Sequence, residues 1–196
     1  MSAPTDEDLL LAVRGGNVES LGVLVARWEA PLFRFVSRLV DRPDDARDVC
    51  QETFLRILRK SGAFRDGARF STWMYQIALN LCRDQARRRK RWGHVVVSSN
   101  AHASSEDAAP REAPAPRSAE THPAEALELR ERRSAVKRAL AGLPHDQREI
   151  LLLKEYEGLK FREIALVLGV PESTVKSRMY SALDTMRVSL ASSGIR

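Results

Sequence analysis

Apolar residues recur at three- and four-residue intervals along most of the chain, which is the spacing of one face of an α-helix. In residues 44–60 this spacing predicts one buried stripe, formed by Ala46, Val49, Cys50, Thr53, Phe54, Ile57 and Leu58. A helix over residues 72–91 is predicted to bury a second stripe, formed by Phe70, Trp73, Met74, Ile77, Ala78, Leu81 and Cys82. The pattern therefore predicts an all-α protein.

Capping residues and a proline predict where the first helices begin and end. Thr5 precedes three acidic residues and should cap a first helix, because its hydroxyl can accept from a free backbone N–H. Asn17 should cap a second helix that runs to about Val40. Pro31 lies inside this second helix and lacks an N–H, so we expect it to kink or split the helix at Ala30.

The C-terminal part contains two short amphipathic helices separated by a tight turn, within residues 158–187. Gly169 can adopt the left-handed conformation that ends a helix, and Pro171 suits the first turn of the next. The predicted buried positions are Ile164, Ala165, Leu168, Val175, Met179, Ala182, Leu183 and Met186. The opposite face of the second helix carries Ser173, Thr174, Lys176, Ser177, Arg178 and Ser181. Short hydroxyls and cations fit a DNA major groove, which predicts a helix-turn-helix; a plain helical hairpin with a solvated face is the alternative.

Composition divides the 196-residue chain into three parts. Residues 1–92 carry 17 basic and 12 acidic side chains, residues 93–123 carry 2 and 4, and residues 124–196 carry 13 and 10. The middle part contains four prolines and no aromatic residue, so it is predicted to be a flexible linker between two small helical domains. The net charge of +6 favours a polyanionic partner.

Cysteine and histidine positions give no sign of redox or metal chemistry. Cys50 and Cys82 fall on predicted apolar faces and should be buried free thiols, and the four histidines lack metal-site spacing. We therefore predict no metal and no cofactor. The acidic N-terminus is unlike a signal peptide and no apolar run reaches membrane-spanning length, so we expect a soluble, cytoplasmic protein. The chain ends soon after the helix-turn-helix, so no fused regulatory domain is expected.

Two polar helix faces in the N-terminal part are candidates for binding. The outward face of helix 44–60 is acidic with an apolar centre, formed by Asp45, Asp48, Gln51, Glu52 and Leu55. A solvated surface would explain this face, but it also suits the docking of a basic helical partner. The loop at 61–70 and the helix after it combine two phenylalanines, Asn80 and a cationic run at 87–91. This combination is typical of proteins that hold single-stranded nucleic acid.

Three stretches, in this order, resemble the extracytoplasmic-function group of bacterial RNA polymerase sigma factors. The group's core-polymerase-binding helix is similar to residues 44–58, DDARDVCQETFLRIL. Its promoter-melting and −10-recognition segment is similar to residues 64–91, which include FSTWMYQIALNLCRDQARRRKR. Its −35-recognition domain is similar to residues 143–187, which include LPHDQREILLLKEYEGLKFREIALVLGVPESTVKSR. The order and spacing of the three stretches are more specific than any one of them.

The resemblance implies a protein that directs RNA polymerase core to specific promoters by recognising the −10 and −35 elements and melting DNA. It implies core binding and −10 recognition for residues 1–92, a linker at 93–123 that passes the polymerase active site, and −35 recognition for 124–196. The residues implied to bind the clamp helices of the largest polymerase subunit are Asp45, Asp48, Gln51, Glu52 and Leu55.

The implied −10 contacts, with the loop at 64–70 capturing a flipped base, are Phe64, Arg65, Phe70, Thr72, Asn80, Arg83, Asp84, Arg87, Arg88 and Arg91. Trp73 is expected to support this site from the core. The implied −35 contacts are Arg162, Ser173, Thr174, Lys176, Ser177 and Arg178, with Arg148 on a phosphate.

The resemblance also implies the partners: polymerase core, promoter DNA and an anti-sigma factor, with no small-molecule substrate and a monomeric free state. A free-standing helix-turn-helix regulator is the alternative, but it leaves the acidic helix and helix 72–91 without a function. An enzyme is disfavoured, because the sequence contains no Gly-rich phosphate loop, nucleophile elbow or paired catalytic carboxylates.

Overall fold

The computed structural model describes residues 3–65, 67–96 and 123–193. These residues form no strand and contain the helices α1 (Asp6–Arg14), α2 (Val18–Val36), α3 (Pro43–Lys60), α4 (Phe70–Val96), α5 (Pro123–Ala141), α6 (His145–Leu151), α7 (Phe161–Leu168) and α8 (Glu172–Ser192). A 3₁₀ turn (Ser61–Ala63) follows α3, and a π-helical turn (Leu152–Tyr156) continues α6. The predicted all-α class is confirmed. Helices α1–α4 form the N-terminal domain and α5–α8 the C-terminal domain, while most of the predicted linker lies outside the described residues.

Side-chain caps fix the starts of the first two helices as the sequence predicts. The N–H of Asp8 donates to the Thr5 hydroxyl, and the N–H of Thr5 donates to the Asp8 carboxylate, both over 3.1 Å. The N–H of Ser20 donates to the side-chain oxygen of Asn17 over 3.2 Å. Each cap satisfies a backbone donor that has no partner within its own helix.

Two predicted helix boundaries are wrong. Pro31 lies within α2, which continues without a break and ends at Val36 instead of Val40. The proline removes one backbone hydrogen bond, but the fully buried side chains of Leu24 and Phe35 hold α2 on the core on both sides of it. Helix α4 begins at Phe70 and continues to Val96, beyond the predicted end at residue 91. No proline follows to stop it, and a single glycine weakens a helix without ending it.

The N-terminal domain is built around α4, which packs against α1, α2 and α3. The Tyr75 ring of α4 is buried, with its centroid 4.8 Å from that of Phe35 on α2. The predicted stripe on α3 is buried except for Leu58, which lies near the end of the helix and is 37% exposed. Cys50 and Cys82 are buried free thiols, as predicted, and burial raises the pKa of each to about 12.

The C-terminal domain places α8 against α5, α6 and α7. Gly169 has a φ of 68°, the left-handed conformation predicted for the turn, and its N–H donates to the Ala165 carbonyl over 2.9 Å. The predicted buried face of α8 is correct except for Leu183, which is 43% exposed. On α7, Val167 is buried and Leu168 is only half-buried, although Leu168 was predicted to be buried. The helix carries apolar side chains on several of its sides, so their periodicity could not indicate which side faces the core.

None of the helices in the described ranges is long and apolar enough to span a bilayer.

Candidate nucleic-acid interface

The outer face of α8 presents the predicted hydroxyls and cations. Ser173, Lys176 and Ser177 are exposed, whereas Thr174 and Arg178 are half-buried. Glu172 lies one turn before Lys176, and its carboxylate is 2.7 Å from the ammonium. This hydrogen bond raises the pKa of Lys176. The start of α8 therefore presents short hydroxyls and two cations on one face, each cation lying beside a carboxylate.

Helix α6 braces the outer face of α8 through two polar contacts that the sequence did not indicate. The Arg178 guanidinium lies 3.3 Å from the Asp146 carboxylate at the start of α6. The Gln147 amide donates to the Ser181 hydroxyl over 3.2 Å. Since both contacts span more than thirty residues of sequence, no local pattern could have identified Asp146 and Gln147 as positioning residues.

The geometry of Arg148 does not support the predicted phosphate contact. Its guanidinium turns inward and donates to the backbone carbonyls of Ala141 and Leu143, which close the turn between α5 and α6. Burial lowers the pKa of Arg148, although an arginine remains charged under ordinary conditions. The structure thus gives Arg148 a bracing role. Arg162, by contrast, is exposed at the start of α7.

The outward line of α4 forms the second candidate surface. Asn80, Arg87, Arg88 and Arg91 are exposed, as is Arg65 in the preceding loop. Asp84 is half-buried and accepts a hydrogen bond from Arg87, and this bond lowers the pKa of the Asp84 carboxyl. Together these side chains make a polar, mainly cationic strip that runs along the helix.

Phe64 in the loop before α4 and Phe70 at the start of α4 are both part of the core. The stripe predicted for Phe70 is thus correct, whereas the implied −10 contacts of both phenylalanines are not supported. Phe64 is 6% exposed, and its ring centroid lies 5.4 Å from that of Trp73. Phe70 is 0% exposed, and its N–H donates to the Glu7 carboxylate of α1 over 2.8 Å. Trp73 is half-buried in the same cluster, as its predicted supporting role requires. The aromatic rings hold the loop in place and are not accessible to a base.

Thr72 is also turned inward, which disagrees with the prediction that it contacts DNA. The residue is half-buried, and its hydroxyl oxygen is enclosed with no hydrogen-bond partner among the described residues. A buried hydroxyl of this kind cannot donate to a phosphate or base without a movement of α4. Among the described residues between Phe64 and Phe70, Arg65, Gly67 and Arg69 are exposed.

Among the described residues, Arg83 is the predicted −10 residue whose side chain is bound by a residue of the C-terminal domain. Its Nε donates to Glu149 Oε1 over 2.8 Å, and a second guanidinium nitrogen donates to Oε2 over 2.5 Å. Glu149 is 1% exposed and also lies 3.0 Å from Nδ1 of His145. Burial acts to raise the pKa of Glu149, but the bonds from His145 and Arg83 outweigh it, so the pKa is lowered and the carboxylate stays charged.

The acidic face of α3 is less exposed than predicted. Asp48, Gln51 and Leu55 are exposed, whereas Asp45 and Glu52 are half-buried. The Glu52 carboxylate accepts from Arg56 over 2.9 Å. Arg89 approaches Asp45 Oδ2 to 3.4 Å, but without hydrogen-bond geometry, so this oxygen remains unsatisfied among the described residues. Beside this face, a groove of about 240 Å³ lies between α3 and α4, lined by Asp48, Val49, Glu52, Arg56, Leu81, Asp84, Gln85 and Arg88.

Comparisons with known proteins identify the family. Residues 24–92 match the family model "Sigma-70 region 2", and residues 133–186 match "Sigma-70, region 4". The chain is 30% identical to the RNA polymerase sigma-H factor of Pseudomonas aeruginosa over 183 residues, which cover 92% of this chain and 91% of that protein. It is 30% identical to the ECF RNA polymerase sigma-E factor of Salmonella typhimurium over 184 residues, with coverages of 93% and 92%. The chain belongs to the extracytoplasmic-function (ECF) sigma factors.

The fold of this sigma factor agrees with that assignment. A solved structure of the sigma factor RpoE in complex with the anti-sigma factor NepR from Bartonella quintana superimposes with a TM-score of 0.65 at 22% identity. It covers 87% of this chain and 96% of that one. The region 2 match covers most of α2, all of α3 and most of α4, and the region 4 match runs from α5 into α8.

As an ECF sigma factor, the protein directs RNA polymerase to promoters. Sigma factors are transcription initiation factors and not enzymes. The free-standing regulator is not favoured, because the region 2 match accounts for the acidic helix and for α4, which that alternative leaves unexplained.

Proposed function

We propose that this sigma factor divides promoter recognition between its two domains: α8 reads the −35 element as duplex, and α4 with its preceding loop holds the opened −10 strand. The observation that carries this division is the different chemistry of the two exposed surfaces. Short hydroxyls accompany the cations at the start of α8, whereas Asn80 and a longer arginine strip line α4. Small side chains allow a helix to enter a major groove, while long cations can follow the backbone of a displaced strand.

The proposed −35 contacts are Arg162, Ser173, Thr174, Lys176, Ser177 and Arg178. We leave Arg148 out because its guanidinium is bound to two backbone carbonyls. The proposed −10 contacts are Arg65, Asn80, Asp84, Arg87, Arg88 and Arg91, with Arg83 joining them when it is released from Glu149. Base capture by the loop would use its polar and backbone groups, since its two phenylalanines are buried.

We further propose that the polymerase core docks on the exposed centre of the α3 face. Asp48, Gln51 and Leu55 are open to a partner and combine negative charge with an apolar side chain. Asp45 and Glu52 would contribute from the edge, because both are half-buried and lie beside arginines. A basic helical surface on the partner would complement this face. Such a role places the protein with the polymerase in the bacterial cytoplasm.

The proposed domain limits are residues 1–92 and 124–196, joined by 93–123. An anti-sigma factor is a proposed partner as well, because the similar RpoE structure is a complex with one. Such a protein would compete for the surfaces that the polymerase and promoter use.

The division of labour is tested with two alanine variants in transcription complexes reconstituted with polymerase core. Arg178→Ala should weaken closed-complex binding in a gel shift, since a good base contact contributes about 1–3 kcal/mol of discrimination. Asn80→Ala should leave this step unchanged and reduce the permanganate reactivity of opened thymines. Arg187→Ala serves as a matched control for Arg178→Ala, because Arg187 is exposed near the end of α8 and pairs only with Asp184 among the described residues. If Asn80→Ala abolished closed-complex binding and Arg178→Ala affected only opening, the assignment of the domains would be reversed.

A further inference from the structure

The groove between α3 and α4 adjoins the proposed docking face for polymerase core, because Asp48 belongs to both. One wall is a face of α3 and the other a face of α4, and each contributes four residues at helical spacing. The volume of about 240 Å³ is below the roughly 300–1,000 Å³ of pockets that hold drug-sized ligands. The groove therefore suits a single long side chain of a docked protein.

The charged groups of the groove leave one carboxylate available to a partner. The Glu52 carboxylate accepts from Arg56 over 2.9 Å, and the Asp84 carboxylate accepts from Arg87. Asp48 is exposed and forms no ion pair among the described residues. Three carboxylates and two guanidinium groups line the groove, so one further cation would make its charge neutral.

The wall formed by α4 contains an acceptor that lacks a donor. The side-chain oxygen of Gln85, Oε1, is enclosed and has no hydrogen-bond partner among the described residues. Enclosed acceptors of this kind are rare, because they lose their bonds to water without replacement. The two available acceptors thus belong to opposite walls, Asp48 to α3 and Gln85 to α4.

Two apolar side chains complete the groove. Val49 and Leu81 are buried, and each contributes to one wall. The methylene stem of a long cationic side chain can pack on such a surface while its charged end reaches polar groups. Arginine fits better than lysine, because its planar guanidinium carries five donors in a fixed arrangement and can bond acceptors on both walls at once.

We infer that the groove binds an arginine side chain of the polymerase core, between Asp48 of α3 and Gln85 of α4. The inference rests on the proposed docking of the core on α3, and it extends that face to a second helix. Arginines that fill a pocket near the centre of an interface often contribute much of its affinity. Gln85 is therefore a specificity-determining residue for the core, although it lies outside the acidic face of α3.

The inference is tested by the affinity of the full-length protein for immobilised polymerase core at pH 8, without DNA. Gln85→Glu keeps the shape of the side chain and replaces the amide by a carboxylate, whereas Gln85→Lys places a cation in the groove. We expect the glutamate variant to bind core at least about tenfold more tightly than the lysine variant, because charge-assisted bonds are stronger and like charges repel. Gln85→Leu removes the acceptor and should weaken binding at least about threefold.

Gln76 provides the matched control. It is a half-buried glutamine of the same helix and does not line the groove. Nine residues separate it from Gln85, which places the two on opposite sides of α4. Gln76→Glu and Gln76→Lys should bind core with similar affinities. Urea denaturation checks that each variant is folded, and if Gln85→Lys does not fold, Gln85→Glu is compared with Gln85→Leu.

The chemistry of the bound side chain is tested by photocrosslinking. Gln85→Cys is labelled with a maleimide that carries a benzophenone, which reacts at this position alone because Cys50 and Cys82 are buried. The labelled protein is irradiated in complex with core, and the attached peptide is identified by mass spectrometry. We expect a core peptide that contains arginine. A crosslinked peptide with lysine and no arginine would overturn the inference.

The possible results separate this inference from the proposed docking face. Equal core affinities of Gln85→Glu and Gln85→Lys, or a difference no larger than that between the two Gln76 variants, would overturn the arginine site. If Asp48→Arg with Gln51→Arg still weakened core binding in that case, the docking face on α3 would stand without the groove. If that double variant bound core like the wild type, the docking face itself would fail.

Discussion

Replacing Phe64 by alanine distinguishes a structural role of the loop aromatics from direct base capture. The Phe64 side chain is 6% exposed and lies against the Trp73 ring, at the point where the chain enters α4 from the loop. An aromatic side chain of this size buries roughly 150–250 Å². At about 25 cal/mol per Å², its burial stabilises the fold by at most about 4–6 kcal/mol.

Phe→Ala substitutions in protein cores cost about 3–5 kcal/mol. Phe64 lies next to a loop that can relax into the vacated space, so we expect a loss near the lower limit, about 3 kcal/mol of unfolding free energy. For a domain of about 90 residues, each kcal/mol shifts the melting temperature by about 4–8 °C, so the N-terminal domain should melt about 12–24 °C lower. Phe64→Leu keeps most of the apolar volume and should cost less than about 1.5 kcal/mol.

Urea denaturation monitored by tryptophan fluorescence measures this loss, because Trp73 lies directly against the replaced ring. Promoter opening is measured in parallel by permanganate reactivity, at a temperature where both variants are folded. We expect Phe64→Leu to open the promoter like the wild type. A Phe64→Ala protein with wild-type stability but defective opening would refute the structural role and restore the base-capturing one.

Two further predictions follow from burial and charge. Asp48→Arg together with Gln51→Arg should lower the affinity for polymerase core at least about tenfold, because both side chains are exposed on the proposed docking face. The free energy of unfolding, measured in urea, should change by no more than about 0.5 kcal/mol, as is usual for surface substitutions. Unchanged binding to immobilised core would exclude this face. The thiols of Cys50 and Cys82 should react with a disulfide reagent at pH 8 only after denaturation, since burial raises both pKa values to about 12 and leaves almost no thiolate. Rapid modification of the native protein would contradict their enclosed positions.

Helical class, the caps of the first two helices, the turn at Gly169 and the family were available from the sequence because they depend on short-range chemistry. The caps at Thr5 and Asn17 and the left-handed turn at Gly169 involve groups within four residues of each other. The stripe on α3 was predictable because every third or fourth residue lies on the same side of a helix. The order of three motifs along the chain was sufficient to indicate a sigma factor, which the comparisons confirmed.

Only the tertiary structure decided which polar and loop side chains are buried or are bound by another element. Periodicity states which side of its own helix a residue lies on, but not whether another element covers that side. Arg83 thus lies on the outward line of α4 and is nevertheless bound by Glu149, a carboxylate 66 residues further along the chain. The loop at 61–70 has no periodicity of its own, so Phe64 could be placed in the core only once α1 and α4 were positioned around it, whereas the stripe predicted for the following helix already included Phe70. The inward position of Arg148 was not predictable either. Its guanidinium donates to two backbone carbonyls, and because every residue carries a carbonyl, no sequence pattern marks these two as its partners.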